Sequence, residues 1–192
     1  MSSPTPAKPT PPHLKFTYED YLAFPDDGKR HEIIDGDHYM TPAPLTRHQR
    51  ISGLLFGFLF SCVEAHHGGE LFPTPTDVVL SKFDVVQPDL LYVSESRRGI
   101  IARENIQGVP DLVVEIISEG TRKTDEVIKR RLYERSGITE YWIVDPEVEA
   151  VRIYRLHEGK YQRVELTREA GDELATPLLP EFHLALERLF TP

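Results

Sequence analysis

Residues 85–120 read VVQPDLLYVSESRRGIIARENIQGVPDLVVEIISEG. The tripeptide Pro-Asp-Leu occurs twice, at Pro88-Asp89-Leu90 and at Pro110-Asp111-Leu112, each time ahead of an apolar run, and the second run carries a carboxylate, Glu115. An acidic side chain inside an apolar β-type run is costly to bury without compensation, so Glu115 needs a partner or a ligand. Strand side chains alternate faces and advance about 3.3 Å per residue. Asp111 and Glu115 therefore share a face but stand about 13 Å apart, too far to touch one Mg²⁺, whose ligand oxygens lie about 2.1 Å away. Asp111 reads as a strand-entry residue after Pro110, where local hydrogen bonding favours aspartate. Asp89 opens its own strand, and neighbouring strands lie about 4.8 Å apart. Once PDLLYV pairs beside VVEII, Asp89 and Glu115 can converge on one hard cation.

Outward from this stretch, the elements alternate. Thr17 with Asp20 three residues later forms a capping-box pattern that opens a short helix over TYEDYLAF. RHEIIDGDHYM reads as a hairpin reversing at Asp35-Gly36. A long helix is expected from about His48 to Glu64, with Ile51, Leu54, Leu55, Phe58 and Leu59 on one apolar face. TDVVLS and VVQPDLLYV read as strands around the turn KFD, and PDLVVEIIS as the next strand, after a loop carrying Arg97, Arg98 and Arg103. A basic helix follows from about Thr121 to Ser136, closed by Gly137. TEYWIVDP, EAVRIYRL and YQRVEL are further strands, and PEFHLALERLF reads as a terminal helix. This order predicts an α/β fold with a mixed sheet flanked by helices.

At 192 residues the chain fits one domain with a sizeable core. The expected division is a disordered leader over residues 1–14, rich in Pro, Ser and Thr, and a single domain over 15–192. No apolar run has the roughly 20 residues that span a bilayer, and no signal-peptide core opens the chain, so a cytoplasmic location is expected. The single cysteine, Cys62, sits in the apolar helix and reads as an inert, buried thiol. His66-His67 reads as a solvated helix end, because adjacent helical residues point about 100° apart. No Gly-x-Gly-x-x-Gly or Walker-type loop is present, which gives a nucleotide cofactor no support. The net charge of −9 weighs against a generalist nucleic-acid binder. Yet Arg122, Lys123, Lys129, Arg130, Arg131 and Arg135 crowd into one short span, and a local basic patch can bind phosphates despite the total.

Pro88-Asp89, Glu115-x-Ile117 and the tail EYWIVDP resemble the PD-(D/E)xK nuclease superfamily. The ordered set HEIIDGDHYM, RHQRI, VVQPDLLYV and PDLVVEIISEGTRKTDEVIKRRLYERSGITEYWIVDP is similar to the Uma-two-type family of restriction endonucleases. This resemblance runs from about Thr17 to Leu189 and implies a restriction-endonuclease-like fold and metal-dependent hydrolysis of DNA phosphodiesters. It implies Asp89, Glu115 and the peptide carbonyl of Ile116 as metal ligands. It also implies Glu32 at the first acidic position, as second-ion ligand or water-binding base, against a structural pairing with Arg30 or Lys29. His48 is implied to point toward the site, against a capping or packing role, and Asp77 and Asp125 are candidates to support the ligands from behind. Oxygen-only ligands suit Mg²⁺ or Mn²⁺ better than Zn²⁺.

The family pattern asks for a lysine two residues after the glutamate, and this chain has Ile117 there. Asp125, Lys129 and Tyr133 stack at four-residue spacing on the following helix, beside an apolar stripe of Val127, Ile128 and Leu132. Lys129 is therefore the replacement expected to reach the site, with Lys123 as runner-up. Expected partners are DNA and a second copy of the chain, since many nucleases of this fold cut both strands as dimers. Two other readings compete. One is a silent nuclease fold that binds nucleic acid or protein without cutting, which Ile117 favours. The other is a metal-free two-carboxylate hydrolase such as a glycosidase.

Overall fold

The computed structural model describes residues 14–41, 44–66 and 68–191. Residues 1–13 of the expected leader, and His67 of the histidine pair, lie outside them.

The chain opens on α1 (Tyr18–Tyr21), whose Thr17 and Asp20 side chains cap each other's backbone N–H groups. The hairpin β1 (Arg30–Ile34) and β2 (Asp37–Thr41) turns through Asp35 and Gly36, both at positive φ, 54° and 79°. That twist joins two strands without splaying them. The long α2 (Thr46–His66) buries Ile51, Leu55, Leu59 and Val63 at four-residue spacing. Then come β3 (Gly69–Pro73), β4 (Val78–Ser81), β5 (Asp84–Val86) and β6 (Leu90–Ser94), a 3₁₀ turn over Glu95–Ile100, β7 (Ile106–Gln107) and β8 (Leu112–Ile116). A π-helical segment, Thr124–Lys129, runs directly into α3 (Arg130–Ser136), which Gly137 closes at φ 85°. The chain finishes with β9 (Glu140–Asp145), β10 (Ala150–His157), β11 (Lys160–Thr167), β12 (Glu173–Thr176), β13 (Leu179–Ala185) and α4 (Leu186–Phe190).

A six-stranded sheet, ordered β11-β10-β9-β8-β6-β3, forms the spine. Its β8 and β9 run parallel through the helical crossover, and its other pairs are antiparallel. β8 and β9 are buried along their whole length, which explains their unbroken apolar runs. One face packs against α2, α4 and the β12–β13 hairpin, with Leu55, Leu59, Leu90, Val114 and Trp142 at the contact. The opposite face carries Val113, Ile117, Tyr141 and Ile143 against Leu132 and Tyr133 of α3 and against Ile34, Val78 and Val86 of a second sheet. That sheet has the order β2-β1-β5-β4-β7. Tyr141 and Trp142 accordingly enter opposite cores.

Several expectations need correction. VVQPDLLYV is two strands in two sheets: β5 belongs to the smaller one and β6 to the spine, with the break at Gln87-Pro88-Asp89. Proline lacks the N–H a ladder needs. PEFHLALERLF is mostly strand, because Leu179, Phe182 and Leu184 are buried while Glu181 and His183 are exposed. Only its end is helical. The strand GELFP, β3, carried too little alternation to be read. Val127 is exposed rather than docked, since the π winding rotates it off the sheet-facing stripe. Cys62 is half-buried. Among the described residues, no helix is long and apolar enough to cross a membrane.

Leu55 is fully enclosed between α2 and the spine. Leu55→Ala should lower stability by about 2–5 kcal/mol, read as a lower urea midpoint at unchanged slope. A cost under about 0.5 kcal/mol would place α2 outside the core.

Candidate active site

The break between β5 and β6 builds one side of the site. The Gln87 N–H donates to Glu32 Oε1 at 2.8 Å, and the Thr74 N–H donates to the Asp89 carbonyl at 3.0 Å. Leu90 pairs with Val114 across the antiparallel β6–β8 ladder. One residue further back, Asp89 faces Glu115, on the same face of the spine. The Asp89 carboxylate accepts from Arg30 Nη1 on Oδ1 at 2.7 Å and from the Ile116 N–H on Oδ2 at 2.9 Å. His48 Nε2 lies 3.0 Å from Oδ2. Burial alone would raise the Asp89 pKa, but the His48 hydrogen bond and the charges of His48 and Arg30 hold it below the usual range.

The other side hangs on Lys129. Its ammonium is enclosed and sits 2.8 Å from Glu32 Oε1, 2.9 Å from Glu115 Oε1 and 3.7 Å from Asp125 Oδ1. Burial would push its pKa down, but Glu115, Glu32 and Asp125 together push it up. Glu115 Oε1 also accepts from the Tyr133 hydroxyl at 2.9 Å. Burial drives the Glu115 pKa well above the ordinary range, and the neighbouring carboxylates Asp125, Asp89 and Glu32 add to it against the Lys129 charge. Burial likewise raises Asp125 to about 6. The π-helical winding underlies this meeting of groups. It holds Asp125 and Lys129 buried on one segment, and π segments recur at functional sites.

These groups open on a cavity of about 650 Å³. Its wall includes Arg30, His48, Asp89, Glu115, Ile116, Asp125 and Lys129. Glu32 lies behind Lys129 and is not part of the wall. Ile117 is on the wall but 2% exposed and packed in the core. Asp77 stands apart, accepting from the Tyr21 hydroxyl and from the Gln87 side-chain amide, both at 2.7 Å. It reaches Glu32 only through Gln87. Lys123 is exposed and off the wall, so the structure brings it to none of the four carboxylates. Asp111 is held elsewhere, by the Ser94 N–H at 2.8 Å and by Arg97 at 3.2 Å.

The family model described as "Putative restriction endonuclease", Uma2, matches residues 18–187. This chain belongs to the Uma2 family. A crystal structure titled as a "putative nuclease belonging to DUF820" from Anabaena variabilis superposes with a TM-score of 0.78 at 21% identity, covering 91% of this chain and 97% of that one. The mixed, restriction-endonuclease-like α/β architecture expected from the sequence is therefore the fold observed. No curated protein matches the chain significantly.

Three contributors in this Uma2 chain have roles the sequence did not assign. Arg30 pairs with Asp89 and Lys29 with Asp27, neither with Glu32, whose cation is Lys129. Arg30 lies two residues before Glu32, and strand alternation alone puts both on one face. Tyr133 completes the stripe of Asp125 and Lys129, and its hydroxyl donates to Glu115. Gln87 sits in the inter-sheet corner, which has no periodic signature.

The raised Asp125 pKa has a stability consequence. From the ordinary aspartate value of 3.8 it climbs to about 6 on folding, so the folded chain holds that proton more tightly. The cost of ionising it is absent below pH 3.8, grows through the interval and is complete above pH 6. Asp125→Asn should therefore melt several degrees higher than the parent at pH 8, a gain of up to about 3 kcal/mol, and the gap should narrow at pH 5. A lower melting temperature at pH 8 would mean that pairing with Lys129 outweighs the burial.

Proposed function

We propose that this chain is a Mg²⁺- or Mn²⁺-dependent endonuclease that hydrolyses DNA phosphodiesters at the Asp89–Glu115 cleft. The observation that carries this reading is the pairing of Asp89 with Glu115 on one sheet face and one cavity wall, with an enclosed ammonium 2.9 Å behind Glu115. The donor set suits a hard divalent ion: two carboxylates and the carbonyl of Ile116. That carbonyl faces the same flank of β8 as the Ile116 N–H, which points at Asp89. Among the described residues no three His, Cys, Asp or Glu side chains close into a metal cage. An ion held by Asp89 and Glu115 would therefore have to complete its shell with water and substrate oxygens. A bound ion would lower the pKa of a water and draw charge from a phosphoryl oxygen.

The chain's own groups supply the rest. Lys129 offsets the charge of Glu115 and Glu32 and brings a cation toward the developing phosphorane anion, where preorganised charge is worth most. Tyr133 and Lys129 fix which Glu115 oxygen turns inward, as both hold Oε1. The Ile116 N–H and His48 fix Asp89 through Oδ2. Glu32 acts through Lys129, because it lies off the wall. A homodimer belongs to this proposal, because cutting both strands calls for two such clefts.

The test is nicking of supercoiled plasmid with Mg²⁺ or Mn²⁺. Asp89→Ala should abolish it, and Lys129→Met should slow it roughly 100- to 1,000-fold, the scale of losing one transition-state charge partner. Nicking that survives chelation, or survives Asp89→Ala, rules the proposal out. DNA binding without any nicking supports the silent-fold reading that Ile117 favours.

A further inference from the structure

Arg30 uses only part of its guanidinium. The group carries five N–H donors in a rigid fork. Nη1 donates to Asp89 Oδ1 at 2.7 Å, while Nε is enclosed and has no partner. An enclosed donor left unmade is costly, and Arg30 keeps one on the wall of the cavity that holds Asp89 and Glu115. Orienting Asp89 does not explain this, because the Ile116 N–H and His48 already hold its Oδ2. The other wall arginines and Lys129 have carboxylate partners away from Asp89. Arg122 pairs with Asp145 at 2.6 Å and Glu126 at 3.2 Å, Arg47 with Glu149 at 3.2 Å, and Lys129 with Glu32 and Glu115. Arg30 is the wall arginine that touches the carboxylate pair; His48, with its Nδ1 likewise enclosed and unpartnered, holds the other Asp89 oxygen but lacks a fork of donors.

We propose that Arg30 is the substrate-binding residue that grips a non-bridging oxygen of the DNA phosphodiester beside Asp89 and Glu115, an inference that rests on the nuclease reading above. The planar fork matches two phosphate oxygens in a way an ammonium does not. Arg30 now donates through Nη1 to Asp89 Oδ1. Were Asp89 to give that oxygen to a divalent ion, the fork would be free to turn toward the phosphate. Arg30 would thus compensate Asp89 without substrate and bind the phosphate with it.

Two binding experiments test this with Arg30→Gln, which keeps a donor for Asp89, and Arg30→Lys, which keeps the charge. Affinity for a DNA duplex is read by fluorescence anisotropy with Ca²⁺ as the ion, and Mn²⁺ affinity is read by calorimetry without DNA. Both variants should bind duplex roughly 10- to 100-fold more weakly, the scale of losing charge-assisted hydrogen bonds, while Mn²⁺ binds as well as before or better. Unchanged duplex affinity with weakened Mn²⁺ binding would make Arg30 a positioning residue for Asp89 and overturn the proposal. Parental nicking with both variants behaving as parent overturns it alone. A parent that neither binds nor nicks DNA removes the nuclease reading and this inference with it.

Discussion

A single enclosed ammonium holds the centre of this protein together. Lys129 meets Glu32 from β1 of the smaller sheet, Glu115 from β8 of the spine and Asp125 from its own helix. Three carboxyl groups in so small a space would repel one another, and each would lose its hydration. The ammonium offsets both costs and links the two sheets to the helix between them. It does not offset them fully: the Glu115 and Asp125 pKa values stay raised by burial.

The second constraint is the corner at Gln87-Pro88-Asp89, where the chain leaves one sheet for the other. The corner faces two ways: the Gln87 N–H steadies Glu32, and the next step of the chain sets Asp89 opposite Glu115. Gln87 spends its side-chain amide on Asp77 and Tyr21, which tie α1 and β4 to the same point. A substitution that shifted this corner by one residue would turn Asp89 to the opposite face of the spine, because strand side chains alternate.

Much of this was legible in the chain. The Asp35-Gly36 hairpin, the Thr17–Asp20 cap, the long amphipathic helix and the Gly137 stop each have a local cause, so local pattern found them. The elimination of Asp111 needed only the rise of a strand, and the structure holds that residue with Ser94 and Arg97. What failed was non-local. A strand pair divided between two sheets looks like one apolar run until Pro88 is weighed as a break. The stretch PEFHLALERLF joins the end of β13 to α4, and its apolar residues do not by themselves mark where strand gives way to helix. Arg30 and Tyr133 matter only because Asp89 and Glu115 are brought beside them by tertiary pairing, which no single-segment pattern encodes.

The acidic total and the proposed DNA substrate are reconciled by where the cations go. Most arginines are neutralised locally: Arg152 and Arg122 share Asp145 and Glu126, Arg168 is held by Glu149 and Glu187, and Arg135 by Asp35 and Asp84. Such pairs leave little free positive field, so non-specific attraction along a phosphate backbone, which scales with the phosphates neutralised, must be weak. Affinity then has to come from a few groups inside the cleft. Under the proposed function, a chain of this charge would engage a phosphodiester at one point rather than coat a duplex, with recognition concentrated around Arg30, Lys129 and the Asp89–Glu115 pair.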